Sequence, residues 1–222
     1  MLLIFDWDGT LADSESHIAA ALQAGISEMR LEYRSHHDCA QCIGLGLEQT
    51  ARRLFPEIAD SELDGFRAVY SKNYLLLAES EYRLNLFDGV EACLDELQSQ
   101  GHLLAVATGK SRVGLDRVLQ ESGLAGRFVS TRAADETASK PDPLMLREIL
   151  HEQAALVDQA LMIGDSTYDL EMARNLNIAR VGVSYGVHSI EQLEEFQPVA
   201  MVHQISELTA VIEGLNSGLA AS

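Results

Sequence analysis

The sequence predicts an α/β protein, a doubly wound parallel sheet carrying an inserted block of helices. Three observations lead there. Short continuous apolar runs recur at 2–6 (LLIFD), 103–107 (LLAVA), 160–163 (ALMI) and 179–183 (ARVGV), the pattern of strands covered on both faces. Amphipathic stretches separate most of them, so strand and helix alternate, as consecutive right-handed crossovers require. Between Ser14 and Arg83 the alternation stops, and only helical patterns are found.

Taken in order, the first strand follows Met1 directly. It is too short for a secretory signal and has no basic region before it. Three or four helical stretches come next, at 15–30, 36–43, 45–55 and 61–79. The alternating part resumes with a helix over 89–100, the strand 103–107, a helix over 111–122 and a third strand near Phe128–Val129. A helix over 142–152 starts where Pro143 follows Asp142. The strand 160–163, a helix over 167–176, the strand 179–183, a last strand near 199–202 and a helix over 206–215 complete the chain. The predicted organisation is an α/β core of residues 1–13 and 84–222, with a helical cap domain of residues 14–83.

Charge narrows the function classes. Sixteen Lys and Arg face 34 Asp and Glu, a formal net charge of −18. Only Lys72, Lys110 and Lys140 are lysines. Nucleic-acid and polybasic membrane-surface binding both rest on clustered cations, so neither partner is expected. The same field repels small anions at long range. Three cysteines (Cys39, Cys42, Cys93) make no disulfide framework, which suits a reducing, cytoplasmic setting. No run approaches the ~18 apolar residues of a membrane span.

Ligands of open α/β sheets bind at the carboxyl ends of the strands. At four such ends stand Asp6-Trp7-Asp8-Gly9-Thr10, Thr108-Gly109-Lys110-Ser111, Ser139-Lys140-Pro141-Asp142 and Gly164-Asp165-Ser166-Thr167-Tyr168-Asp169. Asp6 and Asp8 share one tight turn, and Asp165 and Asp169 add further negative charge. Close carboxylates resist ionising together unless a cation neutralises them. An all-oxygen set of this kind suits a hard cation such as Mg²⁺, which binds few carboxylates together with substrate phosphate. Lys140 and Thr108 then serve as donors to a phosphoryl group. A carboxylate is also a competent nucleophile. Singly, each residue has a plainer reading: Asp165 and Thr108 as helix caps, Lys140 as a solvated loop lysine. Asp6 resists such a reading, because it ends a buried apolar strand.

DWDGTLADS, VATGK, SKPDP and IGDSTYD resemble the four motifs of the haloacid dehalogenase-like superfamily, in its phosphoglycolate phosphatase-like branch with a helical cap. The resemblance spans essentially the whole chain. It implies that Asp6 is the phosphorylated nucleophile and Asp8 the acid that protonates the leaving oxygen and then activates water. It implies that Thr108, Gly109 and Lys140 hold the phosphate. It implies that Mg²⁺ is held by the Asp6 carboxylate, the Asp8 backbone carbonyl and Asp165, with Asp169 as a further ligand or behind the first ones. Gly109 stands where this branch often has Asn, so no side-chain contact is expected there. The superfamily's dehalogenases lack the second aspartate; Asp8 therefore points to oxygen leaving groups. Its sugar-phosphate mutases carry a histidine ten residues after that aspartate, where this chain has Ile18, with His17 one place early.

The expectation is a Mg²⁺-dependent phosphatase of a small phosphorylated metabolite, monomeric or homodimeric. The alternatives are a mutase on the same core or a non-catalytic phosphate-binding protein. Four features stay outside that frame. His36-His37 with Cys39 and Cys42 reads as one turn of a cap helix rather than zinc ligands, because no second ligand pair follows. Gly44-Leu45-Gly46 is half of a dinucleotide fingerprint, but it follows no strand. Arg52 and Arg53 read as surface residues, with a substrate carboxylate as the rival role; Trp7 reads as packing.

Overall fold

The computed structural model describes residues 1–80 and 82–219. Six strands form a single sheet, all neighbours parallel: β1 (Leu2–Phe5), β2 (Leu103–Thr108), β3 (Ser130–Ala133), β4 (Ala160–Gly164), β5 (Ala179–Val183) and β6 (Ala200–Val202), in the order β3-β2-β1-β4-β5-β6. The doubly wound sheet is the one the alternation predicted. β1 sits at its centre, with Leu3 beside Leu104 of β2 and Leu161 of β4.

The period of two along each strand sorts the side chains into two cores. Leu3 and Phe5 face α5 (Val90–Ser99), α6 (Arg112–Glu121) and α10 (Leu208–Leu219), sharing a cluster with Leu94, Leu115 and Ile212. Leu2 and Ile4 face α7 (Leu144–Glu152) and α8 (Thr167–Arg174), with Ile149 and Met172. A third cluster, including Leu22, Cys39, Leu54 and Phe66, belongs to α1 (Glu15–Glu28), α2 (His36–Ala40), α3 (Leu47–Leu54) and α4 (Asp60–Ser80). This helical block is entered and left at one place. Asp13 N–H donates to Asn85 (2.9 Å) and Phe87 N–H to Leu11 (3.0 Å), so the two connecting segments run antiparallel.

Two elements differ from expectation. The third strand begins at Ser130, just past Phe128–Val129, because its pairing with β2 starts at Ala105 opposite Ser130. The apolar pair before it is only half covered, and Val129 is 43% exposed. A short helix, α9 (Ile190–Glu194), was not predicted, although its capping box is readable in Ser189 and Gln192. The first three helices of the inserted block are also shorter than their periodicity: α1 stops before Arg30, whose φ of 56° is left-handed.

Candidate active site

β1 delivers Asp6 to the carboxyl edge of the sheet, and a tight turn follows in which Leu11 N–H donates to Trp7 (2.9 Å). Gly9 lies at φ 84°, and a Cβ there would stand 2.2 Å from Asp165 Oδ2, so the turn admits only glycine. Trp7 points away from the turn into the core with Phe5 and Leu11.

Asp6 is buried against Lys140, whose Nζ lies 2.7 Å from its Oδ1 and 2.6 Å from Asp169 Oδ1. Apart from this ion pair, neither Asp6 oxygen receives a hydrogen bond. Burial pushes the Asp6 carboxyl well above the usual carboxylate range; Lys140 opposes the rise, and Asp169 and Asp165 add to it. Burial alone would depress Lys140, but Asp169 and Asp6 outweigh it and keep the ammonium charged. Asp169 spends its other oxygen on Ser166, accepting from N–H (3.1 Å) and Oγ (2.6 Å) as the third residue of a helix capping box. Asp165 accepts from Thr10 Oγ1 (2.8 Å) and Val187 N–H (2.9 Å). Its carboxyl is pushed up to about 7, by burial first and Asp169 second.

Asp6, Asp165 and Asp169 each bring a carboxylate oxygen within 4.8 Å of the others, the metal-competent group among the described residues. The donors fit a divalent cation: Asp6 Oδ2 has no partner, and one lysine does not balance three buried carboxyl groups. The Asp8 side chain stands apart from the cluster. Its Oδ1 accepts from Ser14 Oγ (2.6 Å) and lies 3.0 Å from Lys110 Nζ. Lys110 is depressed by burial, but the Asp8 carboxylate overrides that and holds it above its ordinary value.

Thr108 is fully buried at the end of β2, its hydroxyl accepting from Lys110 N–H (3.2 Å). The glycine at 109 has a steric cause: a Cβ would lie 2.5 Å and 2.6 Å from the carbonyl oxygens of Gly44 and Leu45. The Gly44–Leu45–Gly46 segment is therefore where the helical block meets the sheet edge. Gly46 N–H donates to Ser139 (2.8 Å) and Tyr168 Oη to Gln41 (2.8 Å). His188 Nδ1 accepts from Thr167 N–H (2.8 Å), which leaves Nε2 as the donor toward Gln41, 3.4 Å away. Gly109→Asn is expected to push this segment off the core and cost about 1–3 kcal/mol, read as a lower midpoint of thermal unfolding.

Sequence reasoning gathers Asp6, Asp8, Asp165 and Asp169 with Lys140 and Thr108 around one site; the structure brings Asp6, Lys140, Asp165 and Asp169 together, whereas the Asp8 side chain turns to Ser14 and Lys110. Lys110 as the partner of Asp8 was passed over, as were Ser14, Tyr168, Val187 and His188. Ser14 lay within the first motif; Val187 acts through its backbone and leaves no side-chain signal. Cys39 and Cys42 are buried in the helical block's core, and burial raises their thiols, to about 12 and about 11. Arg52 is held on the surface by Glu48 (3.1 Å) and Asp60 (2.8 Å), while the Arg53 guanidinium lies 5.7 Å over the Tyr168 ring.

The fold and site define a class, parallel α/β proteins that gather a lysine-bridged carboxylate cluster at the carboxyl end of the central strand. The chain belongs to the haloacid dehalogenase-like hydrolase family, whose model matches residues 3–183. It is 30% identical over 220 residues to the "Probable phosphatase IndB" of Dickeya dadantii (strain 3937), covering 96% of this chain and 94% of that one. It is 27% identical over 217 residues to a phosphoglycolate phosphatase of Vibrio parahaemolyticus, covering 95% of each. A hydrolase of Pseudomonas syringae shares the fold, with a TM-score of 0.87 at 22% identity over 96% of this chain and 98% of that one. Among the described residues, no helix is long and apolar enough to cross a membrane.

Proposed function

We propose that this chain is a Mg²⁺-dependent phosphomonoester hydrolase working through a phospho-Asp6 intermediate, with helices α1–α4 (residues 14–83) as the cap over its site. The observation that carries this reading is Asp6, a buried carboxylate whose Oδ1 is held by a buried lysine and whose Oδ2 has no partner. Asp6 attacks phosphorus, the bond to the leaving oxygen breaks, and Asp8 supplies that oxygen's proton. Asp8 then takes a proton from the water that hydrolyses the aspartyl phosphate. Thr108 and Lys140 hold the phosphoryl oxygens, with the Gly109 backbone beside them. Asp6 and Asp165, with Asp169 and the Asp8 carbonyl in support, would hold a Mg²⁺ ion, which would supply the positive charge that neutralises the carboxylates and the phosphoryl group. The substrate is a small phosphorylated metabolite.

Isomerase chemistry is disfavoured by His17. Its ring stacks between Tyr74 (3.8 Å) and Tyr82 (5.0 Å), and its Nε2 is engaged by the Tyr74 carbonyl (2.9 Å). Burial lowers its pKa, so it is a neutral packing group.

Phosphate release from 4-nitrophenyl phosphate, present with Mg²⁺ and lost in EDTA, tests the reading; release from no monoester would sink it. Asp8→Asn is expected to slow hydrolysis of an alkyl phosphate by about 10²–10⁴-fold, and that of the aryl ester less, because nitrophenolate leaves without a proton. Equal losses would remove Asp8 as the acid.

Metal binding should depend on pH. A carboxyl held at about 7 in the fold, as Asp165 is, keeps its proton there while the unfolded chain has lost it. The metal-free protein therefore loses stability as pH rises from about 4 to 7, and Mg²⁺ must displace that proton below pH 7. At about 100 Kd, Mg²⁺ should add about 2.7 kcal/mol, or about 5–10 °C in Tm, at pH 8. The shift should shrink markedly at pH 5.5; equal shifts by differential scanning fluorimetry would contradict the assignment.

A further inference from the structure

Gln41 closes α2 and belongs to none of the four motifs, yet both its backbone and its side chain are tied to the sheet edge. Its carbonyl accepts from Tyr168 Oη (2.8 Å) and lies 3.4 Å from His188 Nε2. Its Nε2 donates to the Val187 carbonyl (3.2 Å), and its Oε1 accepts from Gln192 Nε2 (3.3 Å). Two of these partners also hold Asp165. Val187 N–H donates to Asp165 Oδ2 (2.9 Å), and His188 N–H donates to the Asp165 carbonyl (3.4 Å). The carbonyl that Gln41 grips and the N–H of His188 belong to one planar peptide unit, so a turn of that unit moves both. The fit around them leaves no slack: a Cβ at Gly186 would stand 2.2 Å from Asp165 Cβ, and one at Gly44 would stand 3.0 Å from Ser166 Oγ.

We propose that Gln41 is a positioning residue for the metal site: its grip on the 187–188 peptide sets the Asp165 carboxylate, so docking of the helical block and Mg²⁺ binding favour each other. The inference rests on the phosphatase reading, from which it takes Asp165 as a metal ligand. The link from insert to ligand runs through the backbone of Val187 and His188. Once the Gln41 amide lets go, the peptide is free to turn. Val187 N–H then leaves Asp165 Oδ2, and the carboxylate loses the partner that aims it. Coupling of this kind is reciprocal: the factor by which a docked block raises Mg²⁺ affinity is the factor by which Mg²⁺ favours docking. The ion is thus held most firmly while the block covers the site, and less so once the block lifts.

The test measures Mg²⁺ binding to the whole chain without substrate, by calorimetry. Gln41→Met keeps the length of the side chain and removes both its hydrogen-bonding ends; Gln41→Ala removes everything beyond Cβ. Each should weaken Mg²⁺ binding about 5–20-fold. Tyr168→Phe, which frees the Gln41 carbonyl, should act in the same direction, and its effect should shrink when it is added to Gln41→Met. A merely structural role predicts a lower metal-free Tm with a Mg²⁺ Kd within about twofold of the wild type, and that outcome overturns the proposal. In the wild type, Mg²⁺ should slow amide exchange over residues 41–46 at least about threefold, and in Gln41→Met it should not. Wild-type exchange indifferent to Mg²⁺ would overturn the coupling without relying on the folding of any variant. A weakened Kd in the variants, without turnover of any phosphate ester, would uphold the role of Gln41 and sink the phosphatase reading. Turnover with an unchanged Kd in both Gln41 variants would do the reverse.

Discussion

Replacing Asp6 by Asn is expected to cut phosphate release by at least about 10⁴-fold while leaving the metal-free protein as stable as the wild type or more so. The two effects share one cause. Asp6 is buried beside Asp165 and Asp169, and burial raises its carboxyl against the pull of Lys140. A carboxyl raised in the fold costs stability at any pH above its unfolded value, and the cost grows until the folded group ionises. The amide removes that cost and keeps the shape. Lys140 is not orphaned, because Asp169 Oδ1 remains 2.6 Å away. Thermal melts without metal should show the variant's advantage growing as pH rises above about 4, the unfolded carboxyl value, whereas added Mg²⁺ should favour the wild type. A variant that keeps full activity removes Asp6 as the nucleophile. One that is less stable without metal removes the electrostatic account.

Lys140→Met is the opposite experiment and should be the more damaging to the fold. Lys140 is wholly buried and is the cation in contact with both Asp6 and Asp169. Taking one partner from a buried ion pair typically costs about 3–5 kcal/mol, since the remaining charge cannot reach water. For a chain of this size that is a fall of roughly 6–20 °C in Tm. Activity should be lost as well, because the nucleophile would then hold its proton more tightly. The double variant with Asp6→Asn should recover part of the lost stability, a coupling readable as departure from additivity. A change within about 1 °C for Lys140→Met would show that the cluster is compensated elsewhere.

Much of this site is legible in the sequence because parallel sheets concentrate function at strand ends. Asp6, Lys140 and Asp165 each follow a strand or its loop. Both faces of the sheet follow from runs such as Leu2-Leu3-Ile4-Phe5, where every residue is apolar and alternate ones serve opposite cores. What the sequence conceals is contact between distant segments. Nothing in the string ties Gly109 to the carbonyls of Gly44 and Leu45, or Lys110 to Asp8 rather than to solvent. Arg52 and Arg53 look alike in the string, but helix rotation gives Arg52 to Glu48 and Asp60 and turns Arg53 toward Tyr168. Phe128–Val129 misplaces a strand edge because short apolar signals mark where a strand begins to be covered, and hydrogen-bond register decides where it pairs.

The clasp formed by Leu11 with Phe87 and Asp13 with Asn85 bears on how such a molecule changes over generations. Because the helical block departs and returns at adjacent residues, the sheet beneath spans only a short gap whatever hangs from it. Lengthening or replacing the insert adds closure entropy that grows only as the logarithm of its length. The block can therefore drift in sequence, or be exchanged whole for another, with little consequence for the folding of the layers below. Insert and sheet can thus change as separate units, joined at a two-stranded seam.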